Sequence, residues 1–373
     1  MLPRHVYIHV PFCARRCAYC DFSIAVRRVV PSDEYVDAVR REIDIRFGGD
    51  DRWEVDTLYF GGGTPSRLGS AGVSNLLDVV RGRIEIAAGA EVTLEANPED
   101  VSDEAVAAWR DAGVNRISLG SQSFDDRVLT WMHRSHNAAA IERAVNAIRR
   151  GGIDNLSLDL IFALPVELDR DWPEDIRRAL ALEPEHLSLY GLTVEPHTPM
   201  GRWQARGTLV ESPEERYEAE YLHAHEALGA AGFEHYEVSN FGRPSRHSRH
   251  NSSYWSLSPY AGLGPSAHEF DGVTRRWNAA VYREWERAVG CGEDPMSGSE
   301  AVAGDSHVAE QVYLGLRSSR GLALEGPELD RVAPWIDAGW AVVSTGGRIR
   351  LTALGWLRLD ALAADLTLVR SHY

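Results

Sequence analysis

The chain has no lysine, and all 39 of its basic residues are arginine. That absence excludes a P-loop lysine on a nucleotide phosphate, a Schiff-base lysine and pyridoxal-phosphate chemistry. No apolar run approaches the ~18 to 20 residues of a membrane span. The N-terminus has neither the basic start nor the apolar stretch of a signal peptide. Basic charge is also scarce: 55 acidic side chains give a net charge of −16, which repels phosphate backbones and anionic lipid headgroups. Generic nucleic-acid binding is therefore not expected. Only four cysteines occur, three of them crowded together, so a disulfide framework is excluded and a reducing compartment implied. The expectation is a soluble cytoplasmic protein, long enough for one large domain and a small one.

Three of the cysteines, Cys13, Cys17 and Cys20, lie in Tyr7-Ile-His-Val-Pro-Phe-Cys-Ala-Arg-Arg-Cys-Ala-Tyr-Cys-Asp-Phe22. They are too close to staple separate elements and well placed to wrap one inorganic cluster. A [4Fe–4S] cube ordinarily takes four thiolates, so three local ones leave an iron open to a small chelating molecule. The competing use is structural zinc, which wants a closed set of four ligands and would have to recruit His9 or the distant Cys291. The C-x3-C-x2-C spacing also lacks the paired C-x2-C units of zinc ribbons. Cys291 itself reads as an ordinary free thiol.

Short apolar, β-branched runs at Val6–Val10, Thr57–Phe60, Glu91–Glu95, Arg116–Leu119, Leu156–Phe162 and His186–Leu192 alternate with helical patterns. Caps and periodicity mark the helices at Ser32-Asp-Glu-Tyr, at Ser102-Asp-Glu-Ala and from Ser212-Pro-Glu-Glu to Leu228. Six strand-plus-helix units predict an α/β fold with a parallel sheet, open or curled into a barrel, and chemistry at its C-terminal strand ends. The unusual residues gather there: Cys13, Gly61-Gly62-Gly63-Thr64-Pro65, Glu95-Ala-Asn97-Pro98, Gln122 and Asp159. Residues 1–240 are read as this barrel. Residues 241–306 form a connecting segment, with Gly290–Ser306 a linker or long loop. Residues 307–373 read as a small domain of winged-helix type, with helices at Val308–Leu316 and Leu354–Leu366 and a hairpin at Trp340–Leu351 turning at Thr345-Gly346-Gly347. Such a fold could bind DNA, but the acidic charge favours a scaffold role.

The glycine triplet after a strand lets backbone groups approach a ligand without Cβ interference, or is merely a structural turn. Glu95, Gln122, Arg134 and Asp159 are polar residues near strand ends; such residues are often only caps or surface groups. Taken in order, the cysteine loop, Gly-Gly-Gly-Thr-Pro, Glu95-Ala-Asn-Pro, Ser121-Gln-Ser-Phe124, Asp159-Leu-Ile-Phe-Ala-Leu-Pro165 and His250-Asn-Ser-Ser-Tyr-Trp255 resemble the radical S-adenosylmethionine proteins related to oxygen-independent coproporphyrinogen III oxidase. The resemblance covers nearly the whole chain. It implies a partial (β/α)6 barrel, a [4Fe–4S] cluster on Cys13, Cys17 and Cys20, and S-adenosylmethionine chelating the open iron. It implies that Tyr7, Tyr19, Gly62 and Glu95 line that molecule. Gly63, Thr64, Gln122, Arg134 and Asp159 match the lining of a second S-adenosylmethionine in the oxidase.

Within that family the chain resembles the heme-chaperone (HemW) branch. The oxidase pattern continues with Gly-Cys after the third cysteine, where this chain has Asp21-Phe22. The His250-Asn251-x-x-Tyr254-Trp255 motif is the signature of the chaperones. It implies heme contact by His250, Tyr254 and Trp255: a neutral imidazole suits heme iron, and the aromatic rings offer flat apolar faces with polar tips. An unperturbed histidine in that role would lose iron below about pH 6.5. His247 is a lesser candidate, and Arg246 and Arg249 could pair with propionates. Ser121 replaces the small apolar residue usual before Gln-Ser-Phe. The expected activity is heme carriage to apo-hemoproteins, including those of respiratory chains. The alternatives are coproporphyrinogen III oxidation and radical-driven modification of heme.

Overall fold

A computed structural model describes residues 2–49, 52–326, 328–344 and 346–371. Six parallel strands form its centre: β1 (His5–Val10), β2 (Trp53–Gly62), β3 (Ile84–Ala96), β4 (Arg116–Gln122), β5 (Asn155–Phe162) and β6 (His186–Gly191). Each expected strand is present, and each neighbours the next in the sheet. The helices between them are α1 (Ser32–Phe47), α2 (Gly69–Arg83), α3 (Asp103–Asp111), α4 (Ala138–Arg150) and α5 (Trp172–Ala181). This is the partial (β/α)6 barrel.

Strand alternation divides the residues between two environments. In β1, Val6, Ile8 and Val10 are fully buried in the apolar layer beneath the helices, while Tyr7 and His9 face the barrel interior. Registered pairs carry the inner face across the sheet: Tyr7 with Tyr59, Tyr59 with Thr93, Glu95 with Ser118, and Asp159 with Ser188. The interior is thus polar and aromatic. The helices bury their apolar stripes outside it, as α4 does with Ile141, Ala144, Val145 and Ile148 at helical spacing. Ser102 caps α3 by accepting from the Ala105 N–H, as expected. Ser32 does not cap α1: it is the first helical residue, and its hydroxyl donates to the Leu68 carbonyl at 3.2 Å.

Beyond β6 come α6 (Glu214–Ala230), β7 (Glu234–Glu237) and β8 (Asn240–Gly242); β8 lies antiparallel on β6 and β7 on β8. Next, α7 (Arg249–Trp255) leads into β9 (Ala261–Leu263), which adds parallel to the free edge of β1. An antiparallel sheet of β10 (His268–Phe270), β11 (Thr274–Asn278) and β12 (Met296–Ala301) follows. This corrects the expectation of a linker over Gly290–Ser306. Gly298 lies opposite Trp277, and a Cβ there would come within 2.6 Å of the indole ring; what resembles linker glycine is the room an aromatic neighbour needs. Cys291 is exposed and follows the helix Tyr282–Gly290.

The C-terminal part comprises α8 (Asp305–Arg317), β13 (Leu322–Ala323), α9 (Glu328–Asp337), β14 (Ala341–Val343), β15 (Arg348–Leu351) and α10 (Leu359–Arg370), with strand order β13-β15-β14. The expected hairpin is β14–β15; Thr345 of its turn lies outside the described residues. The expected second helix is split into Ala353–Trp356 and α10. Trp356 donates through its indole to the Leu316 carbonyl of α8 at 3.0 Å, and its ring, 4.4 Å from that of His235, ties this part to the rest.

Candidate cluster and cofactor site

Cys13, Cys17 and Cys20 line one side of a cavity of about 420 Å³ at the C-terminal end of the barrel. Their loop is pinned between two neighbours: the Ala18 N–H donates to the Met132 carbonyl and the Ala18 carbonyl accepts from the Met200 N–H, both at 3.0 Å. Ala18 is fully buried in a small second core with Val128, Met132 and Met200. Burial raises the Cys13 thiol above its ordinary pKa, and pushes Cys20 up to about 11. Both are protonated thiols until a metal centre supplies positive charge. Among the described residues, no three His, Cys, Asp or Glu side chains close on the position of a single metal ion.

Opposite the loop, the glycine triplet is shaped by what passes beside it. A Cβ on Gly61 would fall 2.9 Å from both the Tyr7 and Tyr59 rings; one on Gly62, whose φ is +110°, would fall 2.5 Å from the His9 ring; one on Gly63 would fall 2.7 Å from the Pro11 backbone. Glycine is therefore what lets this strand end pack against those neighbours, while Gly62 and Gly63 also line the cavity. Glu95 accepts from the Tyr59 hydroxyl at 2.8 Å and from the Gly62 N–H at 3.2 Å. Burial raises its carboxyl to about 7. Asp159 is pushed to about 6 by burial, opposed by the Ser118 hydroxyl that donates to it at 3.0 Å.

Arg134 reaches the far wall. It donates to Asn97 Oδ1 at 2.6 Å, to the Gly120 carbonyl at 2.8 Å and to Cys17 Sγ at 3.5 Å. Gly120 makes space for it, since a Cβ there would meet Arg134 at 3.2 Å. Thr64 lies 3.4 Å from Cys13 Sγ through its hydroxyl, and Gln122 holds a left-handed φ of +65° where β4 ends. Tyr19, Gly62, Gly63, Thr64, Glu95, Gln122, Arg134 and Asp159 all line this cavity with the cysteines. Tyr7 lies just outside it.

A second cavity, of about 390 Å³, adjoins the first and shares Phe22, Gly62 and Glu95 with it. Tyr7, His9, Tyr254, Tyr260 and His268 contribute its remaining aromatic wall. The motif residues of α7 separate here. Tyr254 lines the second cavity; Trp255 lines neither, and packs under Arg317 with the guanidinium 4.3 Å from its ring centre. His250 is fully buried inside the barrel, stacked on Tyr59 at 5.1 Å. Its Nδ1 bonds Thr57 Oγ1 and its Nε2 the Tyr254 hydroxyl, both at 2.7 Å, and its N–H donates to Glu91 at 3.0 Å. Neither ring nitrogen is free in this arrangement. Burial, reinforced by His5 and Arg116, lowers its pKa to about 3, far from the 6.5 of a solvated imidazole. His247 stacks on Tyr236 at 4.0 Å and pairs with Glu234 at 2.8 Å, away from both cavities.

A model of the Radical SAM superfamily matches residues 7–179. The heme chaperone HemW of Synechocystis is 39% identical over 86% of this chain and 80% of its own length. That of Mycobacterium tuberculosis is 37% identical over 98% of this chain and 95% of its own. The chain belongs to the HemW family of radical SAM proteins. Coproporphyrinogen III oxidase (HemN) from Escherichia coli superposes with a TM-score of 0.81, over 99% of this chain and 91% of that one, at 23% identity, which shows a shared fold.

Membership of the radical SAM family implies a [4Fe–4S] cluster and S-adenosylmethionine, and the residues present suit both. The donor set is three thiols on one pinned loop, and the facing wall of the same cavity is polar, made by Gly62, Gly63, Thr64, Glu95 and Arg134. Several contributing residues carry no motif of their own. Thr57, Glu91 and Arg116 lie inside the barrel and act through His250; they are legible only once the strands are registered. His268 and Tyr260 reach the second cavity because β9 and β10 fold back beside β1, which local sequence does not signal.

Proposed function

We propose that this HemW-family chain carries heme beside one [4Fe–4S] cluster with exchangeable S-adenosylmethionine, and hands the heme to apo-hemoproteins, among them those of respiratory chains. Cys13, Cys17 and Cys20 hold the cluster. Tyr7, Tyr19, Gly62 and Glu95 surround the S-adenosylmethionine on it, and Gly63, Thr64, Gln122, Arg134 and Asp159 extend the same lining. When bound, the cluster supplies an open iron that grips the amino and carboxylate groups of S-adenosylmethionine. The protein's part is to orient: Gly62 lines the cavity, while Glu95 and Asp159, both partly protonated near neutrality, adjust charge at its wall.

The observation that carries this reading is the aromatic cavity fused to the cluster cavity along Phe22, Gly62 and Glu95. Heme is a flat apolar disc with an iron that seeks an imidazole, and Tyr254 of the His250-Asn-x-x-Tyr-Trp255 segment borders that space. Ligation by His250 itself requires the Tyr254 hydroxyl to leave its Nε2. Trp255 supports the segment from behind. Phe22, where the oxidase pattern has cysteine, sits at the seam of the two cavities, so the departure from oxidase chemistry and the gain of an aromatic wall are one substitution.

Incubation of the cluster-loaded protein with coproporphyrinogen III, reductant and S-adenosylmethionine tests the choice between carrier and oxidase. No protoporphyrinogen IX is expected. Product formed over many turnovers would replace the carrier reading with the oxidase.

A further inference from the structure

Three histidines border or approach the aromatic cavity, and two of them are fully engaged. His9 is buried, with Nδ1 against the Tyr7 hydroxyl at 3.1 Å and Nε2 against the Ser23 carbonyl at 3.0 Å. His250 has both nitrogens on hydroxyls and no exposed surface. His268 differs on both counts. It is exposed at the rim, and among the described residues no hydrogen bond reaches its ring. Of the three, it alone lines the cavity with a ring that no hydrogen bond engages among the described residues.

The position of His268 is built rather than incidental. Strand β10 lies so close to β9 that a Cβ on Gly262 would collide with the His268 carbonyl. Gly262 is itself in register with Tyr7 of β1, so the rim is locked to the barrel edge. The His268 ring stacks on Trp277, its cross-strand partner, with centroids 5.8 Å apart and planes 26° apart. Gly298 on β12 leaves the space in which that indole lies. A ring held on a rigid aromatic platform loses little freedom when it binds, which favours ligation. Facing the same space is Phe22, 60% exposed despite its size, an apolar surface open to a ligand.

We propose that His268 is a ligand to the heme iron, in the aromatic cavity walled by Phe22 and Tyr254. This rests on the reading of the chain as a heme carrier, and assigns the iron-binding residue within it. His250 is then a positioning residue. Its bond to the Tyr254 hydroxyl holds that ring in the cavity wall, and its N–H on Glu91 anchors the start of α7.

The test is an anaerobic heme titration of the full-length, cluster-loaded protein and three variants, read by the Soret band and by electron paramagnetic resonance of the ferric heme. His268→Ala should weaken binding about tenfold or more and lose the histidine-ligated spectrum, with the cluster absorption intact; added imidazole should restore the spectrum. Tyr254→Phe keeps the ring but cuts its bond to His250, so affinity should fall while the histidine-ligated spectrum stays. His250→Ala should keep the histidine-ligated spectrum. A His268→Ala protein with unaltered affinity and spectrum overturns the proposal, as does loss of the histidine signature in His250→Ala alone. If the unmodified protein takes up no heme, the carrier reading fails and this inference with it; uptake insensitive to His268 sinks this inference only.

Discussion

Glu95→Gln should stabilise the cofactor-free protein at alkaline pH while weakening its hold on S-adenosylmethionine. The Glu95 carboxylate is half-buried on the wall between the two cavities, and receives two hydrogen bonds, from Tyr59 and Gly62. These do not offset the loss of water around the charge, to which Asp159 adds repulsion, so its pKa rises from 4.5 to about 7. That gap corresponds to about 3 kcal/mol. Because the native carboxyl holds its proton more tightly than the unfolded one, its contribution to stability is full below about pH 4.5. It is lost as pH rises through about 7, and at pH 8 the whole penalty of a buried charge is in force. Glutamine carries no charge and fits the same partners, its oxygen accepting from Gly62 and its amide donating to the Tyr59 oxygen. The variant should therefore exceed the unmodified protein by up to about 3 kcal/mol at pH 8, and by roughly 1 kcal/mol less at pH 6. Urea denaturation of both proteins at the two pH values measures this, and calorimetry of the cluster-loaded forms measures S-adenosylmethionine affinity. Equal stability at pH 8 would refute the claim that burial of this charge is costly, and unimpaired affinity would refute its place in the site.

Alanine at Cys13, Cys17 or Cys20 should abolish the iron–sulfur absorption of anaerobically reconstituted protein, whereas Cys291→Ala should retain it; loss in the latter would mean a fourth protein ligand. Gly62→Ala should cost about 2 kcal/mol or more in urea denaturation, since its φ of +110° is hostile to a side chain and the new methyl would meet the His9 ring. The His250 ring should stay neutral in a nuclear magnetic resonance titration from pH 8 down to 5, because burial places its pKa at about 3; protonation near 6.5 would mean that the ring is solvated. Addition of S-adenosylmethionine should change the electron paramagnetic resonance spectrum of the reduced cluster, and an unchanged spectrum would mean that no iron is open to it.

The barrel was legible because its strands are apolar and β-branched and its helices strongly periodic, and both signals are local. Five of the six strands extend beyond their apolar runs and β6 stops one residue short of its own; β2 and β3 are longer because residues such as Glu54 and Glu85 continue the pairing. The cluster cavity was legible for a related reason: cysteines, glycines and acidic residues that end consecutive parallel strands meet at one end of a barrel. The second cavity was not. Its wall depends on β10 folding against β9, which Gly262 allows and nothing local signals, and on Gly298, which lies in the stretch read as a linker and leaves room for Trp277. His250 shows the same limit from the other direction. In sequence its motif reads only as part of a connecting segment, and tertiary structure reveals both the helix α7 and the occupation of the two His250 ring nitrogens by Thr57 and Tyr254.

The central claim, that this chain carries heme beside its cluster, is tested most directly by anaerobic titration of the cluster-loaded protein with heme, followed at the Soret band. Saturable binding of one heme per chain, with the iron–sulfur absorption preserved, is the predicted result. A titration with no saturation, or one in which heme enters only as the cluster is lost, would contradict it.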